Sequence, residues 1–171
     1  MYGIIATWRM ALEGISKADS MLKNNESAAD SIEEAIKAVE DFEYYKSVGY
    51  GGLPNEEMEV ELDAAFMDGD TLEFGCVGGV KDFANPVSIA RSLMHYDANN
   101  FLIGQGAEKY ASRHGFERKT MLTDRAKIHY HNRTKEITNT ELKPYSGHDT
   151  VGMVCLDTAG HMTSATSTSG L

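Results

Sequence analysis

The stretch Ser146-Gly147-His148-Asp149-Thr150-Val151-Gly152-Met153-Val154-Cys155-Leu156-Asp157, SGHDTVGMVCLD, sets an acid and a hydroxyl side by side at the mouth of an apolar run. Val151 to Leu156 has strand character. A second such run, Met162 to Ser169, follows across Asp157-Thr158-Ala159-Gly160, so the motif opens a β-hairpin. The chemistry available there is specific. A Thr that follows Asp can attack the carbonyl carbon of the bond before it, exchanging an amide for an ester that water opens, if the backbone is strained and a neighbour takes the hydroxyl proton. The new N-terminal threonine carries an α-amine of pKa about 7.7 to 8.0, close enough to neutral to act as base for its own hydroxyl. An isolated Asp-Thr pair is ordinarily a turn or strand edge, so the weight of this reading rests on the rest of the chain.

Working outward, residues 124 to 147, DRAKIHYHNRTKEITNTELKPYSG, are polar and almost aperiodic and end in Pro144, Tyr145, Ser146 and Gly147, which predicts a surface loop or linker. Upstream, Tyr2 to Trp8 is β-like. From Ser27 to Phe42, Ala28, Ile32, Ala35, Ile36 and Val39 recur at helical spacing, with Ser31 and Glu34 as a capping box. Glu33, Glu34, Glu40, Asp41 and Glu43 are expected on its solvated face. SVGYGGLPN, residues 47 to 55, is a glycine-rich loop. Glu59 to Met67 and Leu72 to Val80 form strands joined by Asp68-Gly69-Asp70. Asn85-Pro86 opens a helix lined by Ile89, Ala90, Leu93 and Met94. A short strand spans Asn100 to Gly104, and a helix runs from Ala107 to its stop at Gly115, with Tyr110 and Ala111 inward.

The 171 residues, 42% hydrophobic, suit one domain with a real core. Sixteen basic against 26 acidic residues leave a formal charge of −10, which disfavours nucleic acid as a partner. No apolar segment approaches the ~20 residues of a membrane-spanning helix, and MYGIIATWRM lacks the features of a signal peptide, so no membrane partner and a cytoplasmic location are expected. Cys76 and Cys155 sit in apolar strand-like runs and read as buried free thiols, with a single bridge left open. His129 and His131 flank Tyr130 without a supporting carboxylate or thiol and read as solvated, and SVGYGG shares only its glycines with a phosphate loop.

HDTVGMVCLDTAGHMTSATSTSG, with ATW near the start, SVGYGGLPNEEMEVELDAAFMDG in the middle and ANPVSIARSLM after it, resembles the glycosylasparaginase (aspartylglucosaminidase) family of N-terminal nucleophile (Ntn) hydrolases, which is related to the threonine-type asparaginases and isoaspartyl peptidases. The resemblance implies an α+β fold, the αββα four-layer sandwich, with the nucleophile at the start of a central strand. It implies Thr150 as nucleophile and site of self-cleavage, with His148 and Asp149 completing the processing motif and the Asp149 carboxylate assisting. It implies that Thr168 supports the nucleophile, that Trp8 borders the active site and that Ser47 lies near the catalytic centre. The implied reaction is hydrolysis of the amide joining the asparagine side chain to N-acetylglucosamine, through a β-aspartyl ester on Thr150, with no metal or organic cofactor.

Met10 stands where the family often carries Phe, and the sequence ends just past TSTSG, before the family's RVGDSP-type and TGHGE-type segments. One incomplete domain is therefore expected. Residues 1–149 correspond to an α chain and 150–171 to the start of a β chain, unable on their own to recognise substrate. Alternatives are an asparaginase or isoaspartyl peptidase, disfavoured by HDT and by YGGLPN, and a silent fragment that needs a partner chain, a homo-oligomer or the absent C-terminal segment. An exposed hairpin edge at Met162 to Ser169 would favour association.

Overall fold

In chain order the elements are β1 (Gly3–Ala6), a 3-10 turn (Arg9–Ala11), α1 (Leu12–Lys23), α2 (Ala28–Glu40), β2 (Leu62–Asp68), β3 (Phe74–Val80), α3 (Pro86–Leu93), β4 (Phe101–Ile103), α4 (Gly104–Arg113), α5 (Asp124–Ile137), β5 (Val151–Leu156) and β6 (Met162–Ser169). They come from a computed structural model that describes residues 1–137 and 150–169.

The strands form one sheet of order β1-β5-β6-β2-β3-β4, antiparallel except for the β3–β4 pair. Both expected hairpins are present. The expected free edge at Met162 to Ser169 is corrected, because β6 lies between β5 and β2 and pairs with β2 from Leu62↔Ser169 to Asp68↔Thr163. Its second partner lies about a hundred residues upstream, beyond the reach of any local turn signal.

Period-two alternation separates the two faces of the sheet. Val151, Met153 and Cys155 of β5, Ala165 of β6, and Leu62, Ala64 and Phe66 of β2 are buried. Helices α2 and α3 pack against these strands. Across the opposite face runs one row, Ile5↔Val154↔Ser164↔Met67↔Phe74. Ile5 there is 78% exposed, and Val154 and Phe74 each 44%. Among the described residues the molecule is thus a mixed α/β fold whose six-stranded sheet carries α2 and α3 against one face.

Helix α2 buries the periodic residues Ala28, Ile32, Ala35, Ile36 and Val39 as expected, with Ile32 and Ile36 worth about 1.5 to 3 kcal/mol each. Its cap differs. Ser27, not Ser31, accepts from the Asp30 N–H at 3.0 Å and returns its hydroxyl to the Asp30 carboxylate, while Ser31 is buried inside the helix. The acidic face is also corrected in part. Glu40 is fully buried, and Glu33 is half-buried in an ion pair with Arg91.

Helix α1 carries no strong apolar stripe; its buried side is Gly14, Ala18 and Leu22. Small residues permit close approach here: a Cβ on Gly14 would lie 2.3 Å from the Ala35 carbonyl oxygen. Residues 124 to 147 are not all loop, since Asp124–Ile137 forms α5. Its Ala, Lys, Arg and Glu content favours helix without amphipathic periodicity. Thr123 caps it, accepting from the Ala126 N–H at 3.2 Å, and Ala126 is buried. The remainder of that stretch, with His148 and Asp149, lies outside the described residues.

Candidate active site

The site gathers at one end of the sheet, where β1 and β6 finish and β5 begins. The register ends at Val151↔Ser167, and continuing it by one residue brings Thr150 level with Thr168. Thr150 is exposed, at the head of a strand whose next residue is fully buried.

Thr7, just past β1, fixes the start of β5. Its hydroxyl donates to the Thr150 carbonyl oxygen at 3.0 Å and accepts from the Gly152 N–H at 2.8 Å, while its own N–H donates to the Gly152 oxygen at 2.9 Å. The backbone on both sides of Val151 is held, while the Thr150 side chain is left to solvent.

Ser47 contributes through its carbonyl. That oxygen accepts from the Ser169 N–H at 2.7 Å and from the Thr168 hydroxyl at 3.4 Å. The glycine-rich loop makes this approach possible. Gly49 has φ +64°, and a Cβ there would fall 2.2 Å from the Glu40 carbonyl oxygen, which already accepts from the Tyr50 N–H at 2.7 Å. Glycine is required at that position on both counts.

Trp8 directly follows Thr7 and is half exposed, with φ 63° and ψ 150°. That backbone region is one that essentially only glycine occupies, and residues held in it cost about 1 to 3 kcal/mol and cluster at functional sites. Beside it opens a groove of about 360 Å³ lined by Arg9, Met10, Leu12, Glu13 and Tyr45, from the two segments that carry Trp8 and Ser47. Thr150, Thr168, Ser47 and the Trp8 backbone therefore meet at one end of the sheet.

Two residues important to this geometry were not anticipated. Thr7 is an ordinary strand-end threonine by sequence, and its partner is 143 residues away. Glu40 had a legible signal, since Ile32, Ile36 and Glu40 step by four along the buried stripe of α2. Its Oε1 accepts from the Val87 N–H at 3.1 Å and its Oε2 from Asn85 Nδ2 at 3.3 Å. Burial pushes this carboxyl up to about 8, against the lowering effect of the Val87 N–H and the Asn85 amide, and of the Ser167 hydroxyl in any orientation that donates to it.

Other nucleophile and metal candidates fall away. Cys76 is half-buried and Cys155 buried, both are free, and burial raises both thiols, Cys155 to about 11 with help from the Asp157 charge. His129 and His131, two apart on α5, do not share a helix face. Among the described residues no group of His, Cys, Asp and Glu could hold a metal ion, and no helix is long and apolar enough to cross a membrane.

The chain belongs to the asparaginase family, whose pattern matches residues 6–171, and members of that family are amidohydrolases. It is 32% identical over 168 residues to an N(4)-(beta-N-acetylglucosaminyl)-L-asparaginase of Elizabethkingia miricola, covering 98% of this chain and 49% of that protein. It is 36% identical over 166 residues to an isoaspartyl peptidase/L-asparaginase of Rattus norvegicus, covering 93% and 50%. It is 32% identical to the isoaspartyl peptidase of Escherichia coli K12, covering 92% and 51%. The chain spans about half the length of these curated relatives.

Proposed function

We propose that this chain is the N-terminal portion of a glycosylasparaginase-type Ntn hydrolase, with residues 1–149 as the α chain and 150–171 as the start of the β chain. In this reading the Thr150 oxygen attacks the Asp149 carbonyl, the peptide nitrogen leaves as the Thr150 amine, and water opens the ester to free the Asp149 carboxylate. The mature threonine then attacks the side-chain amide of a glycosylated asparagine. The observation that carries the reading is the setting of Thr150: held at its carbonyl by Thr7 and level with Thr168, whose hydroxyl is anchored on the Ser47 carbonyl. The processing role of His148 and Asp149 and the bordering role of Trp8 belong to the same proposal, which needs no metal or organic cofactor.

The exposed row of Ile5, Val154, Met67 and Phe74 supports a further layer on that face, as an αββα sandwich would have. The chain would then act with a C-terminal segment, in the same or a partner polypeptide, or as a homo-oligomer. Relatives of both substrate types match at similar identity, so the substrate is argued from the HDT and YGGLPN motifs.

Intact mass of the full chain, followed over days at neutral pH beside Thr150→Ala, tests the nucleophile. Division between Asp149 and Thr150 in the parent alone supports it; division in both chains overturns it. Absence of division in both, persisting after addition of a relative's C-terminal half, also overturns it. With that half present, assay of N4-(N-acetylglucosaminyl)-asparagine against an isoaspartyl dipeptide separates the two substrate readings.

A further inference from the structure

The strand that carries Thr168 is backed by a buried acid. Glu40 is fully buried and opposed by neutral donors, the Val87 N–H and the Asn85 side chain. The like charge of Asp41 lies beside it, and Asn85 bridges to that carboxylate at 3.1 Å. Against it lies the Ser167 hydroxyl, itself fully buried and without a partner in hydrogen-bond geometry. A carboxylate in this setting would be a buried charge with no ion-pair partner among the described residues, and a buried hydroxyl without a partner carries its own desolvation cost. One proton resolves both, if the neutral acid donates to Ser167 while its oxygens accept from Val87 and Asn85.

We propose that Glu40 is a positioning residue that works as a neutral carboxylic acid, donating to Ser167 and thereby locking β6 and the glycine-rich loop behind Thr168 and Thr150. Ser167 is the cross-strand partner of Val151 and the neighbour of Thr168. The Glu40 carbonyl holds the loop through Tyr50, and that loop returns to β6 through the Ser47 carbonyl and the Ser169 N–H. One residue thus joins α2, the start of α3, the loop and the strand. The functional consequence rests on the reading of Thr150 given above; the lock itself does not.

The groups facing Glu40 are Asp41 on its own helix, Asn85 and the Val87 N–H at the start of α3, Ser167 on β6 and the Tyr50 N–H on the loop. The folded acid keeps its proton to about 8, whereas the unfolded chain loses it near the ordinary ~4.3. Between those values the folded state holds more protons, so Glu40's contribution to stability falls as pH rises across this window and levels off above it.

The test reads the carboxyl directly, by infrared difference spectroscopy of the full chain, and the lock by amide hydrogen exchange. A protonated-carboxyl band present at pH 7 and absent in Glu40→Gln is expected to vanish near pH 8. Protection of the Tyr50 and Ser169 amides is expected to fall about tenfold over the same range, and not in Glu40→Gln, whose amide still donates to Ser167. Ser167→Ala removes the proton's acceptor and is expected to lower the Glu40 titration point. An ionised Glu40 at pH 6, titration without change in those amides, or a Ser167→Ala titration point that rises or stays put overturns the proposal. If Glu40→Gln does not fold, the parent and Ser167→Ala measurements still decide. None of these readouts uses turnover or self-cleavage, so failure of the lock and failure of the Thr150 reading are separable.

Discussion

The Thr7 hydroxyl donates to the Thr150 carbonyl oxygen at 3.0 Å and accepts from the Gly152 N–H at 2.8 Å, tying the end of the first strand to the start of the fifth. Thr7→Val keeps the shape and removes both bonds. Because the site is exposed and water replaces part of the loss, the expected cost is about 1 kcal/mol, read as a lower urea midpoint at unchanged m. Thr7→Ser, which keeps the hydroxyl, is expected to recover most of it. If the proposed self-cleavage occurs, Thr7→Val is expected to slow it more than its loss of stability explains.

Gly14 is a contact, not a flexible joint. Ordinarily Gly→Ala inside a helix gains about 1 kcal/mol of propensity. Here the new methyl meets the Ala35 carbonyl oxygen at 2.3 Å, and forcing α1 from α2 costs about 1 to 3 kcal/mol. Gly14→Ala is therefore expected to melt lower than the parent, while Ser16→Ala on the exposed side of α1 is expected to melt no lower. A Gly14→Ala variant that melts higher would contradict this packing.

The strands and their hairpins were legible because alternation and turn chemistry are local signals, and the buried stripe of α2 because its apolar residues are large. What escaped was encoded at a distance or by small residues. Helix α1 buries Gly14 and Ala18, which carry little hydrophobic signal. The place of β6 inside the sheet depends on β2, and the Thr7 clamp on a partner across most of the chain. Helix α5 is nearly uniformly polar, so its cap at Thr123 was the available clue. The charge of Glu40 masks its position in the i, i+4 series that runs along the buried stripe of α2.

Asp157 shows the same blindness to distance. By sequence it is part of a turn, yet its buried carboxylate accepts from the Ala159 and His161 N–H groups at 2.9 and 3.0 Å and from the Ala28 N–H at the start of α2 at 3.1 Å. Burial alone would raise its carboxyl, but the Ala28, His161 and Ala159 donors hold it below its ordinary value. Replacement by Ala is expected to cost about 2 to 3 kcal/mol at neutral pH. A folded value below the unfolded one means stability that is present above ~3.9 and lost as pH falls through the folded value. The stability gap between the parent and Asp157→Asn should accordingly narrow below about pH 3.9, which denaturant titrations from pH 6 to 3 would measure.

Trp8 sits at φ 63° and ψ 150°, where a Cβ is unwelcome, immediately after the threonine that clamps Thr150. Truncation separates the backbone contribution from that of the indole. Trp8→Ala and Trp8→Gly both remove the ring, but only glycine relieves the strain of about 1 to 3 kcal/mol. Glycine's extra chain entropy in the unfolded state offsets about 0.5 to 1 kcal/mol of that gain. The glycine variant is thus expected to be the more stable of the two by about 1 kcal/mol, the reverse of the usual order. Equal stability, or a more stable alanine variant, would show that the backbone at Trp8 stores no strain.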